Sequence, residues 1–175
     1  MRELLFFTLF ATSFLACTDK EATLRGRLAA LDKEFGGAAV TDTSKAQEFI
    51  VTAEQLASIV EKSDTNQSVE LLLKAAGLAK TVGSFDKSLA LYKTVTERFP
   101  QHPQASTAFF MVGFVYANDL RELEKGKAAY ELFLEKYPND PMAESARGEI
   151  RNLGRPADEI IKDFMQNNPD STLVN

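Results

Sequence analysis

Residues 92–108 read YKTVTERFPQHPQASTA, and residues 130–146, 38 positions further on, read YELFLEKYPNDPMAESA. Six of the 17 paired positions are identical: Tyr92/Tyr130, Glu97/Glu135, Pro100/Pro138, Pro103/Pro141, Ala105/Ala143 and Ala108/Ala146. Val95/Phe133, Arg98/Lys136 and Phe99/Tyr137 change conservatively. A degenerate third copy lies upstream, where LASIVEKSDTNQSVELLLKAAG aligns with residues 92–113 at an offset of 36, with Asp64 and Gln67 in place of the prolines. Self-similarity at this period constrains the fold more than any other feature. A unit of this size cannot bury its own apolar face, so it has to stack on its neighbours.

The segments between the breaks carry helical spacing. Phe49, Ala53, Leu56 and Val60 share one face; Leu72, Leu73, Ala76 and Leu78 lie along the next segment, and Phe109, Val112, Gly113 and Tyr116 along another. Ser84 predicts an N-cap. Pro100 and Pro138 end the helices before them, and Pro156, followed by Asp158 and Glu159, opens a last short one. No segment alternates as a strand does. The expected fold is therefore all-α, a solenoid of about three helix pairs with a C-terminal capping helix over residues 44–168, and then a flexible tail over 169–175.

Each repeated position has a physical task. Ala76 or Gly77 in one copy and Gly113 in the next let the first helix of a pair lie close to the second. Ser88 and Gly126, followed by Ala90 and Ala128, offer the matching approach from the second helix. Tyr92 and Tyr130 fill the gap between units, and Phe99 and Tyr137 close the helix ends before proline.

Residues 1–16 differ from the rest: a short charged start is followed by an uncharged run from Leu4 to Ala16. That run is too short to span a bilayer, which takes about 20 apolar residues, but it fits the apolar region of a secretory signal. Cys17, the only cysteine, can close no intrachain disulfide. Residues 17–43 read as a tether holding one short amphipathic helix from Asp19 to Phe35, with Leu24, Leu28, Leu31 and Phe35 on one face. That stripe either docks on the following domain or faces a membrane.

Little in the sequence points to catalysis. His102 is the only histidine and sits in a turn whose counterpart is Asp140, where helix capping or plain exposure is the simplest role. Asp158 and Glu159 suit the positive end of a helix. No phosphate loop, metalloprotease or hydrolase motif occurs, so no catalytic residue, metal site, cofactor or small-molecule substrate is expected. The net charge of -5, with acidic and basic residues interleaved, also argues against a nucleic-acid partner.

Gly113 with Tyr116, Gly126 with Tyr130, and the FPQHP and YPNDP junctions resemble tetratricopeptide repeats across residues 44 to about 166. The tryptophan favoured early in the first helix of that repeat is replaced by Leu73 and Phe109, and two or three residues are added per period. Leu15-Ala16-Cys17 resembles the lipobox of bacterial lipoproteins, with Phe14 and Leu15 where that motif usually carries leucine and a small residue. This likeness implies that Cys17 is lipidated and opens the mature chain; an ordinary cleaved signal and a buried N-terminal helix remain the alternatives. Together the two likenesses resemble bacterial envelope repeat lipoproteins, such as the Tol-Pal-associated periplasmic repeat protein and the helical-repeat lipoprotein of outer-membrane protein assembly.

What the resemblance implies is a non-enzymatic adaptor, lipid-anchored on the periplasmic face of the outer membrane, that binds an envelope protein or peptide through its repeat surface. Inner-membrane anchoring and a soluble periplasmic form are the alternatives for location. A structural subunit of an outer-membrane protein assembly or of a division or Tol-Pal complex is the alternative for function. The likeness projects Lys74, Leu78, Thr107, Phe110, Phe114 and Asn118 into a partner-binding groove, with Phe110 and Phe114 readable either as groove anchors or as core.

Overall fold

The computed structural model describes residues 4–35 and 42–167, with side chains from Asp19 onward. Among these residues the chain forms eight α-helices and one π-helical turn, and no strand. Residues 1–3, the connector around 36–41 and the tail beyond 167 lie outside the described residues, as does the side chain of Cys17. Two compact units are present, Met1–Ala108 and Phe109–Asn175.

The first unit contains α1 (Leu4–Phe35), α2 (Thr43–Val60), α3 (Thr65–Thr81) and α4 (Phe85–Arg98). The apolar face expected for α2 is buried: Phe49, Ala53, Leu56 and Val60 are all 2% exposed or less. On α3 the buried side chains are Val69, Leu72, Ala75, Ala76 and Ala79, while Leu73 and Leu78 are only half-buried. Asp64, which stands where the other copies have proline, starts α3 by another route: its carboxylate accepts from the Gln67 N–H at 2.9 Å. Ser68 donates its hydroxyl to the Ala57 carbonyl at 3.0 Å inside the core, tying α3 to α2. Ser84 takes the N-cap position of α4, but its hydroxyl makes no capping bond.

Helix α1 is longer than the expected helix, beginning at Leu4 rather than Asp19. Its stripe lies against α2. Leu28 and Leu31 are buried, and the Phe35 ring packs on that of Phe49 with centroids 5.9 Å apart. Exposed charges line the seam: Arg27 with Glu48, Lys45 with Glu34 at 2.6 Å, and Lys74 with Asp32 at 2.7 Å. Surface pairs of this kind are screened by solvent and contribute little, so the buried leucines carry the docking.

The second unit holds most of α5 (Ala105–Phe114), the π-helical turn Val115–Asp119, α6 (Leu123–Lys136), α7 (Ala143–Asn152) and α8 (Ala157–Asn167). Tyr130, Phe133, Ala117, Ala143 and Ala146 make one buried cluster, with Phe109, Phe110, Phe114 and Tyr137 packed on it. A methyl group at Gly113 would stand 2.6 Å from the Tyr130 ring, and one at Gly126 would stand 2.7 Å from Ala117 Cβ. Both glycines are therefore required by close approach. Ala90 and Ala128, expected to help in that approach, are exposed instead. They lie two residues past Ser88 and Gly126, about 200° around the helix, and so face away.

The added residues of the longer period have a definite location. Gly83 ends α3 with φ +76°, and Arg121 occupies the matching turn with φ +58°. Six positions separate Gly77 from Gly83, but eight separate Gly113 from Arg121. The π turn takes up the excess: the Leu120 N–H reaches back to the Val115 carbonyl at 2.9 Å, and the Glu122 N–H to that of Tyr116 at 2.8 Å.

Candidate functional site

The six groove candidates fall in both units. In the first, Lys74 is exposed and already engaged. Its ammonium meets both carboxylate oxygens of Asp32 at 2.7 and 2.8 Å and sits 5.2 Å from the Phe49 ring centroid. Helix α1 thus lies on the side of α3 from which Lys74 projects. Leu78, one turn on, is half-buried, and Thr107 is exposed.

In the second unit Phe110 and Phe114 are half-buried and pack against the Tyr130–Phe133 cluster. The Phe110 centroid lies 5.3 Å from that of Tyr130 and 5.8 Å from that of Phe133, both within the range of favourable ring contacts. Asn118, at the end of the π turn, is exposed and donates to Glu149 at 3.5 Å.

Asn118 also borders a cavity that the sequence did not suggest. It measures about 520 Å³ and is walled by Leu123, Leu153, Pro156 and Ile160, with Arg121, Glu149 and Arg155 among its polar residues. Arg155 is held by Asp163 at 2.5 Å. The signal in the sequence is Ile160. It is the fourth residue of α8, a place taken in α4 and α6 by the small Ser88 and Gly126.

His102 serves as a turn residue. Its Nδ1 accepts from the Gln104 N–H at 3.2 Å, and its Nε2 lies 2.9 Å from Asn66 Oδ1. Asp140 does the same work 38 positions later, accepting from the Met142 N–H at 2.8 Å. Tyr130 is fully buried and its hydroxyl has no hydrogen-bond partner among the described residues. Burial, with a smaller contribution from the Glu149 charge, pushes that hydroxyl far above the usual tyrosine range. Among the described residues no group of three or more His, Cys, Asp or Glu is placed to hold a metal ion. No described helix is long and apolar enough to cross a membrane.

Comparison with protein-family models and with curated proteins gave no match.

Proposed function

We propose that the chain is a lipid-anchored, non-enzymatic adaptor of the bacterial cell envelope, built of tetratricopeptide-type helix pairs, which holds a peptide or helix of another envelope protein on its repeat surface. The observation that carries this reading is the recurrence of one contact: Gly77 faces Tyr92 in the first unit as Gly113 faces Tyr130 in the second. A scaffold of helix pairs built on the same contact is suited to gripping a partner, because its surface is ordered before binding. The lipobox-like Leu15-Ala16-Cys17 supports anchoring at Cys17, and the envelope likeness supports the periplasmic face of the outer membrane.

A second reading, the structural subunit, is favoured by a specific observation: Phe110 is packed on Tyr130 and Phe133, so this aromatic offers a partner less than a free side chain would. Two experiments test the proposal. A fatty-acid analogue should label the wild-type chain in bacteria and fail to label Cys17→Ser; equal labelling of both refutes lipidation there. Crosslinking in intact envelopes should capture a contact that Thr107→Arg or Asn118→Arg removes. A stoichiometric complex indifferent to both favours the subunit.

A further inference from the structure

The turns from α3 to α4, from the π turn to α6, and from α7 to α8 each contain one residue with positive φ: Gly83 at +76°, Arg121 at +58° and Gly154 at +72°. Glycine enters that region freely, whereas a residue with a Cβ is strained there. The middle turn thus keeps a side chain where the other two have none. That side chain borders the cavity of about 520 Å³. Among the described residues no carboxylate or hydrogen-bonding group engages the Arg121 guanidinium, whereas Arg155, a second cation of the same wall, is neutralised by Asp163 at 2.5 Å. Strain retained for an unpaired charge points to a task outside the fold.

The rest of the wall says what could fill the space. Leu123, Leu153 and Ile160 supply apolar surface. A methyl group at Gly154 would stand 3.1 Å from Leu123 Cδ1, so the glycine lets the α7–α8 turn close on the start of α6. Asn118, Glu149 and Asn152 add groups that donate and accept. Glu149 meets only the Asn118 amide, at 3.5 Å, and so keeps acceptor capacity. An apolar pocket of this volume with a few polar groups is of the size that holds a small ligand or part of a larger one.

We propose that this cavity receives a short acidic peptide segment of a partner protein: an aliphatic side chain seats against Leu123, Leu153 and Ile160, and a neighbouring Asp or Glu pairs with Arg121. The peptide backbone answers the remaining polar groups, its N–H donating to Glu149 and its carbonyls accepting from Asn118 and Asn152. A free aliphatic acid would leave those groups dehydrated and unpaired. This inference rests on the adaptor reading and adds the chemistry of the partner to it.

The test titrates the full, isotope-labelled chain with acetyl-Gly-Ser-Leu-Glu-Ser-Gly-amide and follows the amide signals of Arg121, Leu153 and Ala157. Their shifts should saturate, and affinity should fall about tenfold when Gln replaces Glu in the peptide or Ala replaces Leu. Arg121→Gly should bind the Glu and Gln peptides equally, about tenfold more weakly than wild type binds the Glu peptide. Because glycine suits the turn, the thermal midpoint of that variant should be no lower than that of wild type, which separates lost binding from lost fold. Ala157→Leu, which fills the cavity from an exposed position, should block the peptide. Absence of saturable shifts overturns the proposal, as does a Gln peptide bound by wild type as tightly as the Glu peptide. Hexanoate bound as tightly as the Glu peptide overturns it in favour of a free acid. Tighter binding by a chain ending at Asn167 overturns it too, by giving the cavity to the protein's own last residues. If Thr107→Arg removes the envelope crosslink while Arg121→Gly leaves the peptide affinity unchanged, the adaptor reading stands and this inference falls.

Discussion

Tyr130 lies with its ring against the backbone of Gly113, close enough that a methyl group on the glycine would sit 2.6, 2.8 and 2.9 Å from three ring carbons. The first unit repeats the pairing with more room: a methyl on Gly77 would be 3.9 Å from the Tyr92 hydroxyl, an ordinary contact.

The same substitution should therefore have opposite effects at the two sites. Gly113→Ala forces the Tyr130 ring or the helix to shift and should destabilise the protein by about 1–3 kcal/mol. Gly77→Ala meets no obstacle inside α3 and should stabilise it by roughly 0.5–1 kcal/mol through the helix preference of alanine over glycine. Urea denaturation of the two variants checks the signs; equal effects would contradict the packing described here.

Tyr130→Phe removes a buried hydroxyl that has no hydrogen-bond partner among the described residues. It should leave the fold intact and raise stability by about 1 kcal/mol. The same hydroxyl sets an alkaline limit. Its folded-state pKa is raised by burial, so the folded chain holds its proton after the unfolded chain has released it. Stability is thus fully present below the ordinary tyrosine pKa of about 10 and is lost as pH rises beyond it. Tyr137 is shifted the same way, first by burial and then by Asp140, and should leave a smaller residual slope in Tyr130→Phe. Denaturation midpoints between about pH 9 and pH 11 in the two proteins measure the difference.

Leu31 is 1% exposed. Because α1 is docked through its buried leucines, Leu31→Ala should cost about 2–5 kcal/mol, whereas Ala30→Ser, at an exposed neighbouring position, should change stability by less than about 0.5 kcal/mol. Thermal melts of both variants make the comparison.

The parts legible in the sequence are those where one residue type does one job. Phe49, Leu56 and Val60 announce a buried helix face by spacing alone, and Gly113 and Tyr130 announce a close helix pair because only glycine tolerates a ring at that distance. The π turn is not legible in this way. Two extra residues between Gly113 and Arg121 show in the alignment as a longer period, but side-chain pattern does not say whether they lengthen a loop or widen a helix. Ala90 and Ala128 show the converse error, since smallness is needed only on the facing side and sequence spacing of two turns them outward. For the candidate site, the identities of Phe110 and Phe114 suit a groove and a core equally. Packing against Tyr130 and Phe133 depends on how α5 and α6 approach, which a single helix pattern does not encode. The cavity lined by Ile160 is not legible either, because Ile160 looks like an ordinary apolar position until it is set beside Ser88 and Gly126.

The most direct measurement is a nuclear Overhauser spectrum of the folded chain with selectively labelled tyrosine and glycine. Cross-peaks from the Tyr92 ring to Gly77 and from the Tyr130 ring to Gly113 are both expected, the second stronger because its separation is shorter. A cross-peak at one site and its absence at the other would contradict the claim that two successive helix pairs are built on the same contact.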